Sequence, residues 1–182
     1  MANIINVVNH EELKTPYSEE NIEKISQFFQ SVLENQNIDN WDVSVLFCDD
    51  MFIQELNKNY RNIDTPTDVL SFEQGDSYID DDGIEFFCAG DIVISVETLE
   101  KNASKFNLSV NDELKRLLVH GILHLNGMDH GEFHIDENGD ILDAEENIIK
   151  FTDELKENEE IKMLVLQETI LTKFNNKKNY IN

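Results

Sequence analysis

Cations, cysteine, proline and glycine are all scarce in this chain. Its 182 residues include two cysteines, two prolines and seven glycines. Two cysteines, Cys48 and Cys88, each inside an apolar stretch, exclude a disulfide framework and read as buried thiols of a cytoplasmic protein. So little glycine and proline excludes collagen-like and proline-rich classes. No apolar run approaches the roughly 20 residues that span a bilayer. The opening MANIINVVNHEEL has no basic segment followed by an apolar one, so no signal peptide is visible. The expectation is a soluble, cytoplasmic protein with no membrane partner. Fourteen Lys+Arg against 38 Asp+Glu give a net charge of −24, and only Arg61 and Arg116 are arginines. Such a surface repels nucleic acid and anionic lipid over most of its area. Any nucleic-acid site must therefore be a local basic patch or carry a metal that reverses the local sign.

What is present is enough for a core. Apolar residues make up 40% of the chain, a composition that suits one domain of this length. NIINVVN (3–9) is β-branched and short, a first strand. Ser18 then caps a helix whose stripe is Ile22, Ile25, Phe28, Phe29, Val32 and Leu33. WDVSVLFC (41–48) alternates as a second strand, and Asp49 or Asp50 caps a short helix to about Asn59. VLSFE (69–73) and FFCAGDIVISV (86–96) read as strands, with a bulge or bend at Gly90-Asp91. Helices follow near 97–106 and 110–126, and a last one over 158–173. Two acidic inserts separate these elements. Residues 75–85 read as a hairpin tip or flexible loop, and the stretch near 131–157 as a solvated loop or polar helix face. Asp136, Asn138 and Asp140 alternate as in a calcium loop, but the glycine and terminal glutamate are out of register.

Four of the five histidines lie in LLVHGILHLNGMDHGEFH: His120, His124, His130 and His134. On a helix, a step of four leaves about 40° between side chains and about 6 Å of rise, so His120 and His124 share one face. His130 would point about 240° away if the helix continued. Gly127 stands where the helix can stop with a positive φ and turn His130 back. The resulting H-x-x-x-H-x-x-G-x-x-H offers three neutral imidazoles suited to one Zn²⁺, with a fourth position for water. His10 has no such context, and His134, inside an acidic insert, is either a fourth ligand or incidental. Asp129 is either a partner that orients His130 or a turn residue. Metzincin metalloproteases share the histidine spacing, but they place their general base, Glu, after the first histidine. Here that position is Gly121, which counts against a protease.

Upstream, Arg61 precedes a rigid Thr65-Pro66-Thr67-Asp68 turn and the strand Val69–Phe72. A planar guanidinium suits a phosphate. The alternative is a structural tie from Arg61 to Asp64 or Asp68. Lys58, Lys101, Lys105, Lys115 and Arg116 are the clustered cations near these motifs; they form a basic lip, or each lysine is an ordinary solvated surface charge.

LNKNYRNIDTPTDVLSF (56–72), AGDIVISVETLEKNA (89–103) and LVHGILHLNGMDH (118–130), with Gln167, Glu168, Ile170 and Leu171 in the closing helix, resemble the YbeY family of zinc-dependent bacterial endoribonucleases. The signature H-G-x-L-H-L-x-G-x-D-H is matched at every fixed position by residues 120–130. The resemblance implies a single α+β domain over 1–182, with a small mixed β-sheet packed against helices and the metal site on a helix and its following turn. It implies His120, His124 and His130 as ligands of one zinc ion and Arg61 as the catalytic residue facing RNA. The implied activity is single-strand cleavage in maturation of the 16S ribosomal RNA 3′ end and in ribosome quality control. The implied partners are ribosomal RNA and the small ribosomal subunit, with ribosomal proteins and assembly GTPases as further candidates. Two readings compete with it: a non-catalytic ribosome-assembly factor with a structural metal, and a metzincin-like metalloprotease. The residues identify no general base and do not separate water from an RNA 2′-hydroxyl as nucleophile.

Overall fold

The computed structural model describes residues 3–136, 140–149 and 158–175. In chain order the elements are β1 (Ile4–Asn9), α1 (Glu19–Asn35), β2 (Trp41–Cys48), α2 (Asp50–Arg61), β3 (Val69–Ile79) and β4 (Glu85–Ser95). They continue as α3 (Val96–Lys105), α4 (Val110–Leu125), β5 (His134–Ile135), β6 (Ile141–Leu142) and α5 (Glu159–Asn175). The main sheet has the order β1-β2-β4-β3. β1, β2 and β4 run parallel, while β3 returns antiparallel beside β4 and forms one edge. Parallel neighbours need crossover connections, and these lay helices over both faces of the sheet. This is the mixed-sheet α+β architecture expected from the resemblance.

One face holds the larger core. Val43, Val45 and Phe47 of β2, with Ile92 and Ile94 of β4, pack under Ile25, Phe28, Phe29 and Val32 of α1 and Leu114, Leu117, Leu118 and Ile122 of α4. Ile170, Leu171 and Phe174 of α5 close that layer. α2 covers the other face with Ile53 against Cys48, Leu70 and Val93. Alternation along β4 switches parity: Phe87 and Ala89 face the larger core, and beyond Gly90 so do Ile92 and Ile94. The switch is a bulge, since Asp42 pairs with Cys88 and Val43 with Gly90, leaving Ala89 over. Gly90 has φ +129°, and a Cβ there would lie 1.9 Å from the Phe72 carbonyl oxygen.

Two expectations need correction. Residues 75–85 are mostly strand: Asp76–Ile79 pair with Glu85–Cys88, and the turn is confined to 80–84, where Asp80 Oδ1 accepts the amides of Asp82 and Ile84. Antiparallel pairing to Phe87 and Cys88 overrides the poor strand propensity of Asp76 and Ser77, while Gly75, φ +82°, sits unpaired at a register shift between Glu73 and Asp76. Within the acidic stretch lies a short β5–β6 ladder; Asp136 Oδ1 accepts the Asp140 amide between the two strands, and Asp143 Oδ1 accepts the Asn147 amide after the second. Asn138 of the calcium pattern lies outside the described residues.

Asp50, at the start of α2, ties three elements by accepting hydrogen bonds from Ser95 Oγ (2.6 Å), Thr98 Oγ1 (2.6 Å) and Lys101 Nζ (2.5 Å). Burial alone would raise its pKa, but these donors hold it below the usual carboxylate value. A depressed folded pKa gives stability that is present above the unfolded value, near 3.9, and is lost as pH falls through the folded one. Asp50→Asn is thus expected to cost about 1.5 kcal/mol at pH 7, with the gap to wild type shrinking below about pH 4, as read by urea denaturation across pH. In the same assay Gly90→Ala is expected to lose about 3 kcal/mol or more.

Candidate metal centre

α4 begins at Ser109, whose side chain accepts the Asp112 amide at 3.0 Å, and is apolar wherever it meets the sheet. At Gly121 the helix comes so close to β4 that a Cβ would lie 2.6 Å from Ile92 Cδ1. Residue 121 thus faces the sheet, while His120 and His124 turn toward a cleft. The helix stops as its glycine predicts. Gly127 takes φ +77°, its amide donates to the His124 carbonyl at 2.8 Å, and the Met128 amide donates to the Leu123 carbonyl at 3.0 Å. That pair of bonds is the Schellman ending. Asp129 is a turn residue: its Oδ1 accepts the amides of His130 (2.7 Å) and Gly131 (3.1 Å), holding the loop that carries His130.

The three rings meet. Centroid separations are 4.6 Å for His120–His124, 5.1 Å for His120–His130 and 5.2 Å for His124–His130. One nitrogen from each lies within 4.8 Å of the others, a cluster that could hold a metal ion. His130 Nδ1 is buried with no hydrogen-bond partner among the described residues. An orphaned ring nitrogen beside two others fits a site in which a cation supplies the missing interaction. Burial, then the neighbouring His124, depresses the His120 pKa to about 3. Burial and His130 lower that of His124, against the opposing pull of Asp129. Neutral imidazole is the form that ligates a metal.

One contributor is legible only in three dimensions. Gln167 of α5 is 1% exposed, and its Oε1 lies 3.0 Å from His120 Nδ1. Its amide nitrogen donates to Glu168 Oε1 at 3.2 Å, which turns the oxygen toward the histidine. Nδ1–H therefore donates to Gln167, and Nε2, 3.0 Å from His124 Nε2, is left with its lone pair toward the cluster. His134 stands apart, 3.5 Å from Glu146, and the His10 ring packs on Phe52.

A cleft of about 400 Å³ contains Arg61, Ser71, Glu73, Arg116, Asp129 and all three histidines. The structural tie open to Arg61 is absent. Asp64 takes Lys58 at 2.7 Å and Asp68 takes Arg116 at 3.5 Å, and among the described residues no carboxylate pairs with Arg61. The basic lip does not form. Lys101 is bound to Asp50, Lys115 lies 3.6 Å from Asp112, and Lys105 sits over the Phe106 ring. Arg116 also meets buried Glu113 through two nitrogens, at 2.5 and 2.8 Å. Of the five cations read as a lip, Lys58, Lys101, Lys115 and Arg116 each have a carboxylate beside them.

Fold and cleft together define an α+β protein with a three-histidine cluster on a helix and its following turn. Residues 5–153 match the family described as Endoribonuclease YbeY, and the chain belongs to that family. It is 55% identical over 132 residues to Endoribonuclease YbeY of Treponema denticola, covering 72% of this chain and 79% of that protein. Its namesake in Borreliella burgdorferi is 40% identical over 137 residues, covering 72% and 86%. The solution structure of TM1509 from Thermotoga maritima shares the fold, with a TM-score of 0.52 at 23% identity over 96% of this chain and 94% of that one.

Replacing Gln167 with Leu leaves His120 Nδ1 without an acceptor. Zinc affinity, measured by competition with a chelating dye, is expected to fall about 10- to 100-fold with the circular dichroism spectrum unchanged.

Proposed function

We propose that this chain is an endoribonuclease that cuts single-stranded RNA in maturation of the 16S ribosomal RNA 3′ end and in ribosome quality control. His120, His124 and His130 hold one zinc ion, and Arg61 is the catalytic residue. Its partners are ribosomal RNA and the small ribosomal subunit, with ribosomal proteins and assembly GTPases around them, and it works in the cytoplasm where ribosomes are built. The observation that carries this reading is an arginine without a carboxylate partner sharing a cleft with three convergent imidazoles. The family relatives named endoribonuclease support it.

When bound, zinc supplies Lewis acidity toward a phosphoryl oxygen and lowers the pKa of water toward about 7. The chain's own residues do the rest. His120 and His124 stay neutral because burial opposes their protonation, so the site need not expel protons to load. Arg61 grips a phosphate through two parallel N–H donors and stabilises the charge that grows on it. The Asp129 turn fixes His130, and Gln167 fixes the tautomer of His120. Gly121 offers no base for peptide hydrolysis, and its contact with Ile92 leaves no room for one.

The test is cleavage of a small-subunit RNA 3′-end precursor by wild type, Arg61→Ala and His124→Ala. Both substitutions are expected to lower the rate at least about 100-fold. Equal rates in all three would instead favour the assembly-factor reading with a structural metal. Product ends distinguish the nucleophile: a 2′,3′-cyclic phosphate means attack by the RNA 2′-hydroxyl.

A further inference from the structure

Phosphate contacts give a nucleic-acid binder most of its affinity, each cation that neutralises a phosphate contributing. This cleft offers little of that. Arg116, Lys58, Lys101 and Lys115 are all engaged by carboxylates, which leaves Arg61 as the one cleft-lining side-chain cation without such a partner among the described residues, beside the proposed zinc ion. One phosphate contact by an arginine on a single strand gives a salt slope of only about −0.7. An RNA held here gains from a further, uncharged source of binding.

Tyr60 is placed to give it. It precedes Arg61 in the last turn of α2, and its side chain is 68% exposed. The ring is propped edge-to-face on Phe72 of β3, with centroids 5.0 Å apart. Phe72 points to the α2 side of the edge strand, while its neighbours Ser71 and Glu73 line the cleft on the other side. Arg61 and Tyr60 therefore straddle the free edge of β3, one reaching the cleft and the other offering a ring beside it. Among the described residues the other exposed tyrosine, Tyr78, already has its hydroxyl on Asp42 and its ring stacked on Phe86. Aromatic faces hold unpaired bases of any sequence, and stacking adds binding without a further cation.

We infer that Tyr60 is a base-stacking platform that seats the nucleotide next to the phosphate gripped by Arg61, so that this acidic protein binds single-stranded RNA mainly through stacking. The inference rests on the ribonuclease reading above and names how that site recognises its substrate.

The experiment measures binding of a fluorescent single-stranded 2′-O-methyl oligoribonucleotide of the 16S 3′-end sequence to the full zinc-loaded chain. Abasic residues are scanned one at a time along the oligonucleotide. For wild type, one abasic position is expected to weaken binding roughly 5- to 100-fold. Tyr60→Ala should lose a similar factor on the intact oligonucleotide and become indifferent to that abasic position. Tyr60→Phe keeps the ring and should behave as wild type, which separates stacking from any loss of folding. Tyr60→Ala with wild-type affinity and unchanged abasic sensitivity overturns the inference, while wild-type cleavage of the precursor leaves the ribonuclease reading intact. A wild type that neither binds nor cuts RNA overturns both, and a protein partner captured through Tyr60 in its place would give that result.

Discussion

The closeness of α4 to β4 at Gly121 governs this site. With no side chain at that point, the helix settles onto Ile92, and its rotation about its own axis is fixed. A residue one place away is turned by about 100°, so His120 and His124 are carried to the margin of the buried face, dry enough to stay neutral and open enough to meet a ligand. A side chain at 121 would push the helix away from the sheet and move both rings. The glycine that denies the chain a metzincin-like base is therefore the residue that lets the histidines converge. The remaining pieces depend on that placement: the Schellman ending at Gly127, the Asp129 turn, and α5 laid across α4 to bring Gln167 to His120.

Charge in this protein is arranged by subtraction. With 38 acidic residues against 14 basic ones, an arbitrary lysine is far more apt to find a carboxylate than to face solvent alone. Lys58, Lys101, Lys115 and Arg116 have done so. The exposed pair Lys58–Asp64 contributes little to stability, yet all four pairings remove cations from the field a phosphate would sense. Arg61 escapes because its two nearest acidic neighbours in the loop, Asp64 and Asp68, are claimed by other residues. The availability of Arg61 is thus a property of the whole α2–β3 loop.

The difference between what could be read in advance and what could not follows the distance over which each feature is encoded. The histidine cluster was legible because helix periodicity, a glycine stop and a six-residue turn are all local. β2 was legible because alternation from Trp41 to Phe47 is strict, and the burial pattern repeats it. Three other features depend on partners far along the chain. The length of β3 is set by Phe86 and Phe87 across the hairpin. The loss of the basic lip is set by contacts such as Lys101 with Asp50, 51 positions away. Gln167 lies 47 positions from His120, in a helix whose pattern announces only packing. The family resemblance picked out Gln167 without a role, and a polar residue in the midst of Met163, Leu164, Ile170 and Leu171 was the signal that it needs a partner, since buried amides require one.

That long separation has a consequence in time. Ribosomes make this chain from its first residue, so β1 through α4 and the turn bearing His130 all exist before Gln167 has been added. Until α5 has been synthesised and has settled against α4, His120 has no acceptor for its Nδ1 proton, and its tautomer is free to put the hydrogen on the nitrogen that must face the cluster. The nascent chain carries its histidines early but receives the device that aims them later. Completion of the site thereby waits on synthesis of α5, and a chain cut short before α5 would keep the signature while lacking the hydrogen bond that makes its first histidine ready for an ion.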